Sequence, residues 1–306
     1  MRRILAVGVG HVAFVAVVLL GASVMDAQEL EPRAFSPAPI GTTFLLASFG
    51  KSEGGILFDP ALDIDAVEAN LWIPTVGAGH TFALAGRQAR FLAVVPFAWG
   101  SVAGNVHAQS QRQDLTGFVD PRFKFSLGLV GAPAMTLAEF ARAPRPTTIG
   151  LSVTVAPPWG SYTPGQLVNL GNNRWAVKPE VGISKPLGRW TVDGSVGVWM
   201  FSTNDSFYPA RSVKSQAPIL SLQGHASHSF ARNAWLAVNG TWFAGGETRV
   251  DGVLNPDLQR NVRVGATLSI PVVGQHSLKL SYSTGTTTRR GSDFNTFNAT
   301  WQLVLF

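Results

Sequence analysis

A two-residue period constrains this chain more than any other feature. Trp175, Val177, Pro179, Val181 and Ile183 alternate with Ala176, Lys178, Glu180, Gly182 and Ser184. Successive side chains of a strand point to opposite faces, so one face is apolar and the other carries Lys178 and Glu180. After a break at Pro186-Leu187-Gly188-Arg189 the pattern resumes, with Trp190, Val192, Val196, Val198 and Met200 against Thr191, Asp193 and Ser195. Two such runs joined by a tight turn predict an antiparallel hairpin over Asn172 to Phe201. A soluble sandwich would bury the apolar face and wet the polar one. An outer-membrane barrel would turn the apolar face to lipid and the polar face to a lumen.

The remainder of the chain separates these two architectures. From Gly41 onward it holds about 12 candidate strands, many of about 12 residues, longer than the usual five or six and long enough to cross a bilayer when tilted. Among them are 64–76, 90–106, 117–129, 174–186 and 190–203. Short connections near Leu187-Gly188, Ala231-Arg232 and Val273-Gly274 alternate with long polar ones at about 204–216, 246–257 and 286–293. That sorting fits short periplasmic turns and longer outer loops, and a sandwich has no reason for it. Two inner connections, about 77–89 and 130–146, read as longer than this rule prefers, and the second has room for a short helix. Charged residues are 14%, well under the usual quarter, while 32 Gly, 9 Trp and 19 Phe suit an all-β chain. The fold class predicted is a closed antiparallel transmembrane β-barrel of about 12 strands, occupying residues 41–306.

The N-terminus sets the compartment. Arg2 and Arg3 precede an apolar run from Ile4 to Leu20, followed by small residues at Gly21-Ala22-Ser23 and Ala27. This predicts a signal peptide over residues 1–27, cleaved after Ala27, with Ala22 and Ser23 as alternative cleavage points. Residues 28–40, with Pro32, Pro37 and Pro39, read as a periplasmic arm or a small insertion into a lumen. No cysteine is present, which excludes a cysteine-linked lipid anchor, disulfides and thiolate metal sites. The net charge of +6 comes from scattered residues and no basic helix, so with export it does not argue for nucleic acid. The chain ends in a second alternating strand, Phe297, Ala299, Trp301, Leu303 and Leu305 against Thr296, Asn298, Thr300 and Gln302, closed by Phe306. That ending resembles the C-terminal signature of bacterial outer-membrane proteins, which implies an assembly signal read by the barrel-assembly machinery.

Alternation turns Arg122, Lys124, Lys178, Glu180, Asp193, His225, Arg263 and Lys279 inward. Two uses fit them: a charged constriction that selects solutes, with a mild preference for anions, or an interstrand salt-bridge network that stiffens or plugs the lumen. Trp72, Trp99, Trp159, Trp175, Trp190, Trp235 and Trp301 lie near strand ends and are predicted at the membrane interface, against lipid and lipopolysaccharide. His225 and His228 are three apart, hence on opposite faces of one strand, and cannot share a catalytic or metal site. His-Glu-x-x-His and Walker patterns are missing, and the sequence predicts no enzyme, no cofactor and no metal.

Several motifs, in order, carry a resemblance. They are Pro39-Ile40-Gly41-Thr42, Gly54-Gly55-Ile56-Leu57-Phe58-Asp59-Pro60, Phe118-Val119-Asp120-Pro121, Asn169 to Trp175 running into Lys178-Pro179-Glu180, Gly245-Gly246-Glu247-Thr248, and Arg290 to Phe294. The chain resembles the transporter family of the meta-pathway of phenol degradation, outer-membrane barrels grouped with fatty-acid and aromatic-hydrocarbon channels. The resemblance implies passive passage of small solutes, aromatic or hydrophobic compounds among them. The contrasting class is a structural or adhesion-type barrel with a plugged lumen that acts through its extracellular loops. The fatty-acid channels carry a long N-terminal hatch, whereas about a dozen residues precede the first strand here, too few to build one.

Overall fold

The computed structural model describes residues 31–57, 64–106, 109–166, 168–208, 211–231, 234–288 and 291–306. The expected signal peptide, residues 1–27, lies outside them. The first half of the chain supplies β1 (Thr43–Leu57), β2 (Ile64–Leu84), β3 (Arg87–Val106), β4 (Gln109–Phe118), β5 (Arg122–Val130), α1 (Leu137–Arg142) and β6 (Thr148–Ala156). Next come β7 (Ala176–Leu187), β8 (Trp190–Phe201), β9 (Asn204–Phe207), β10 (Ser212–Gln216), β11 (Ile219–Ala231) and β12 (Ala234–Gly245). The last are β13 (Thr248–Val250), β14 (Val253–Leu254), β15 (Gln259–Pro271), β16 (His276–Thr287) and β17 (Gly291–Leu305).

Thirteen strands form one antiparallel sheet that closes on itself, because β2 pairs with both β1 and β3 while β17 pairs with β1. β4 and β5 share one position beside β3, the outer half of which pairs with β4 and the inner half with β5. Among the described residues the barrel therefore has 12 staves. Closure pairs the edges of the sheet, as hydrocarbon requires, except along β4, which pairs with β3 alone. The predicted hairpin is β7–β8, paired from Ala176↔Phe201 to Leu187↔Trp190 around a turn whose Gly188 has φ 64°. Along β7, Lys178, Glu180 and Ser184 are buried on the lumenal face while Val181 and Ile183 are exposed outside. A barrel in lipid needs that inversion, with exposed apolar residues on its outer wall.

Three connections and one strand differ from the sequence reading. β2 runs to Leu84 and meets β3 through a two-residue turn, Ala85 (φ 49°) and Gly86 (φ 72°), so 77–89 is a hairpin rather than a long connection. Gly77 and Gly79 lie inside β2. They are lumenal strand positions where a side chain would collide, a Cβ at Gly79 falling 2.3 Å from the Phe44 ring. The strand expected at 117–129 is split by Val119-Asp120-Pro121, since Pro121 cannot donate to the ladder. The long connections at 204–216 and 246–257 carry β9, β10, β13 and β14, which form a small sheet of their own at the outer end. At the other end, the 130–146 connection holds α1, started by a capping box in which the Thr136 amide donates to Glu139 Oε2 at 2.8 Å.

Candidate functional site

The lumen is the concave surface on which inward side chains converge. Register puts Arg122 and Lys124 of β5, Lys178 and Glu180 of β7, Asp193 of β8, His225 of β11, Arg263 of β15 and Lys279 of β16 on that face. These eight are spread along the lumen, which has three distinct places. Glu180, 5% exposed, is the hub of the first. Its carboxylate sits 3.2 Å from Lys124 Nζ and 3.1 Å from Lys178 Nζ, and accepts hydroxyl hydrogen bonds from Ser152 (3.2 Å) and Ser195 (2.9 Å). Arg122 and Lys178 also lie over the ring of buried Trp199, at 5.9 and 5.7 Å. Neighbouring strands thus supply an ion cluster with cations in excess, stacked on an aromatic floor.

The second place is where the chain's own N-terminal arm enters. Arg33 donates from its backbone to Asp193 Oδ2 (3.2 Å) and from its guanidinium to Ser227 and Ser229 (both 2.9 Å), and it stacks over Trp235 at 4.7 Å. Its φ of 64° is left-handed, which costs a non-glycine residue about 1–2 kcal/mol and persists only where contacts over-determine it. Phe35 fills a seat made by two glycines: a Cβ on Gly182 would fall 2.1 Å from its ring, and one on Gly150 would fall 3.1 Å away. Thr148 donates to the Phe35 carbonyl (2.8 Å), Ser36 pairs with Ser184 (2.9 Å), and Arg90 donates to the carbonyls of Ala34 and Ser36 (both 3.2 Å). Gln88 accepts from the Ala38 amide at 2.9 Å. The cavities flanking the arm measure about 30 and 10 Å³, room for a water or two and too little for an organic solute. Residues 33–38 therefore run inside the barrel and fill this part of its bore.

The third place is the outer half of the lumen, where apolar clusters interrupt the polar wall. One buried cluster joins Leu71, Ile73, Ala98, Val102, Leu115 and Phe294, and another joins Trp199, Ile219 and Phe243. Connection 157–175 folds inward over the first, packing Val168 and Leu170 against it. Asp120 fastens that connection, Oδ1 accepting from the Gly160 amide (2.8 Å) and Oδ2 from the Asn172 amide (2.7 Å). Gly160 and Gly171 then touch backbone to backbone, where a Cβ on either would fall 2.7 Å from the other. Arg174 stacks over Phe201 at 4.3 Å and donates to Gln216, which donates in turn to the Gly246 carbonyl at 3.0 Å. The motifs at 118–121, 169–175 and 245–248, distant in sequence, meet at this mouth.

Two residues on opposite faces of β11 sit as their spacing requires. His225 is buried in the lumen, its Nδ1 2.9 Å from Asn239 Oδ1, while His228 lies outside against Trp190. Among the seven tryptophans, Trp235 is a correction. It lies in phase with Ala237 and Asn239, faces the lumen at 9% exposure and floors the Arg33 guanidinium. The other six are exposed: Trp190 and Trp301 at the end holding the short turns, and Trp72, Trp99, Trp159 and Trp175 towards the opposite end. Sequence reasoning missed Arg33, Phe35, Gln88, Arg90 and Arg174. Gln88 and Arg90 do alternate with Ala89 and Phe91, but the misplaced turn concealed the pattern.

Comparison with known proteins bears on the fold. The COG4313 outer membrane channel from Pseudomonas putida F1 superposes with a TM-score of 0.75 at 18% identity, over 90% of this chain and 100% of that one. The β domain of the Bordetella autotransporter BrkA gives a TM-score of 0.49 at 12% identity, over 86% and 99%. No curated protein sequence matches the chain. A closed barrel with an exposed apolar outer wall and the fold of an outer-membrane channel is an outer-membrane barrel. Residues 52–301 match the family model described as the MetA-pathway of phenol degradation, and the chain belongs to that family.

Proposed function

We propose that this barrel is an outer-membrane channel through which small solutes, hydrophobic or aromatic ones included, pass down their gradients. One observation carries the reading: the lumenal wall sets buried apolar clusters beside buried cations and hydroxyls, with Arg174, Arg263 and Thr241 among them in its outer half. The apolar clusters desolvate the hydrocarbon part of a solute, and the polar groups beside them replace part of its hydration. Passage requires the arm at residues 33–38, or connection 157–175, to move aside, because the cavities beside the arm are too small for an organic solute. No covalent step or cofactor is called for. The test is swelling of proteoliposomes in small organic solutes. Swelling faster than in protein-free liposomes supports the channel, and rates equal to that control refute it.

The occupied bore also favours a second reading, a plugged structural or adhesion-type barrel that works through its outer loops. The small outer sheet of β9, β10, β13 and β14 would then be the working surface. Absence of swelling together with binding to cells or matrix through those loops would select it.

A further inference from the structure

Arg263 occupies a position that the channel reading does not explain. It lies on β15 in the outer half of the lumen, 2% exposed, between the two apolar clusters. Its Nη2 donates to the Phe294 carbonyl at 2.7 Å and to Ser283 Oγ at 3.2 Å. Its Nε and Nη1 have no hydrogen-bond partner among the described residues. Thr241, directly opposite in register and 3% exposed, has an Oγ1 in the same condition. Asp293 attracts the guanidinium through space. The neighbouring polar chain is satisfied within itself, with His225 on Asn239 and Asn239 Nδ2 donating to Thr267 Oγ1 at 2.9 Å. Buried donors left unpaired are costly, and a buried cation calls for an anion.

What flanks these donors restricts the partner. Phe243, 4% exposed, follows Thr241 by two residues on the same face of β12, and Phe294, 1% exposed, is held through its carbonyl by Arg263 itself. A ligand that satisfies both surroundings has one negative oxygen pair and a flat apolar body. We propose that the outer-half constriction is a binding site for small aromatic carboxylates. The carboxylate accepts from Arg263 Nε and Nη1 and from the Thr241 hydroxyl, and the ring lies between Phe243 and Phe294. The site names a solute class for the channel proposed above and rests on that reading for its use in transport.

The probes are sodium benzoate and benzamide, which share a ring and differ in charge. Their binding to the detergent-folded full chain is measured by calorimetry, with folding checked by heat-modifiable gel mobility. Benzoate is expected to bind about tenfold or more tighter than benzamide, since a charge-assisted hydrogen bond roughly doubles a neutral one. Arg263→Gln should weaken benzoate about tenfold and leave benzamide within about twofold; Thr241→Val should weaken benzoate about threefold. Equal affinity for the two probes, no benzoate binding, or benzoate binding unchanged in Arg263→Gln would overturn the site. If Arg263→Gln does not fold, the wild-type probe comparison and Thr241→Val decide alone. Conductance of the same preparation separates the two claims. A silent barrel that prefers benzoate keeps the site and loses the channel, and a conducting barrel indifferent to charge does the reverse.

Discussion

Glu180 shows at the scale of one residue how this lumen is held. It is nearly buried, and two ammonium groups and two hydroxyls converge on it. Removing one member of a buried pair strands the charge left behind, which costs more than the pair contributed. Glu180→Gln is therefore expected to lower the unfolding free energy by about 3 kcal/mol in a urea titration of the folded barrel. A loss under about 0.5 kcal/mol would mean that water screens Lys124 and Lys178 well. Gly182 makes a second test, because its missing side chain is the seat of Phe35. Gly182→Ala should unseat the arm without opening the barrel wall, seen as faster amide exchange at residues 34–38 with strand exchange unchanged. The sequence made Lys178 and Glu180 legible because a pleat fixes facing by parity alone. Trp235 obeys the same parity, in phase with Asn239, and was misplaced because its position near a strand end outweighed its phase.

Among the elements, most staves were legible, while β4, the outer strands β9, β10, β13 and β14, and the irregular segments were not. Ten to fifteen residues of alternation identify a stave, and the β7–β8 hairpin formed where the period predicted it. The arm has no period: Pro37 and Pro39 say only that it is extended, and the alternatives of a periplasmic arm or a lumenal insertion could be separated only by its contacts. The mouth was hidden for another reason. Asp120 and Asn172 are 52 residues apart, and no local signal reports that a carboxylate will find those amides. Helix α1, with six residues, is the element most dependent on its cap. The Glu139 carboxylate is held below its ordinary value of 4.5, first by the Thr136 backbone amide and then by the Thr136 hydroxyl. A depressed carboxylate stabilises the fold above its unfolded value and loses that contribution as pH falls through the folded one. Amide exchange across residues 137–143 should accelerate as pH drops below about 4, after correction for intrinsic rates, and Glu139→Gln should remove that pH dependence. Exchange that tracks the intrinsic rate through this range would show that the cap does not hold the helix.

For the molecule as a whole, two surfaces have exchanged their usual roles. Charged and hydroxyl side chains form the interior, and Val181, Ile183, Leu222, Leu236 and Val238 stand exposed outside. Such a surface is stable only in lipid, so a cation placed on it is penalised by depth. Val238→Lys, near the middle of β12, is expected to cost about 2–4 kcal/mol of folding free energy in a bilayer, and Ser281→Lys, near the middle of β16 and facing the lumen opposite Thr267, less. Equal costs would contradict the assignment of faces. The interior also carries the functional claim, that of a narrow channel obstructed by its own N-terminal arm. Single-channel conductance of the purified barrel in a planar bilayer tests it most directly, with and without residues 31–38. The account predicts small discrete steps for the intact chain and larger ones once the arm is removed. Silence from both folded forms would contradict it and leave a plugged barrel that acts through its outer loops.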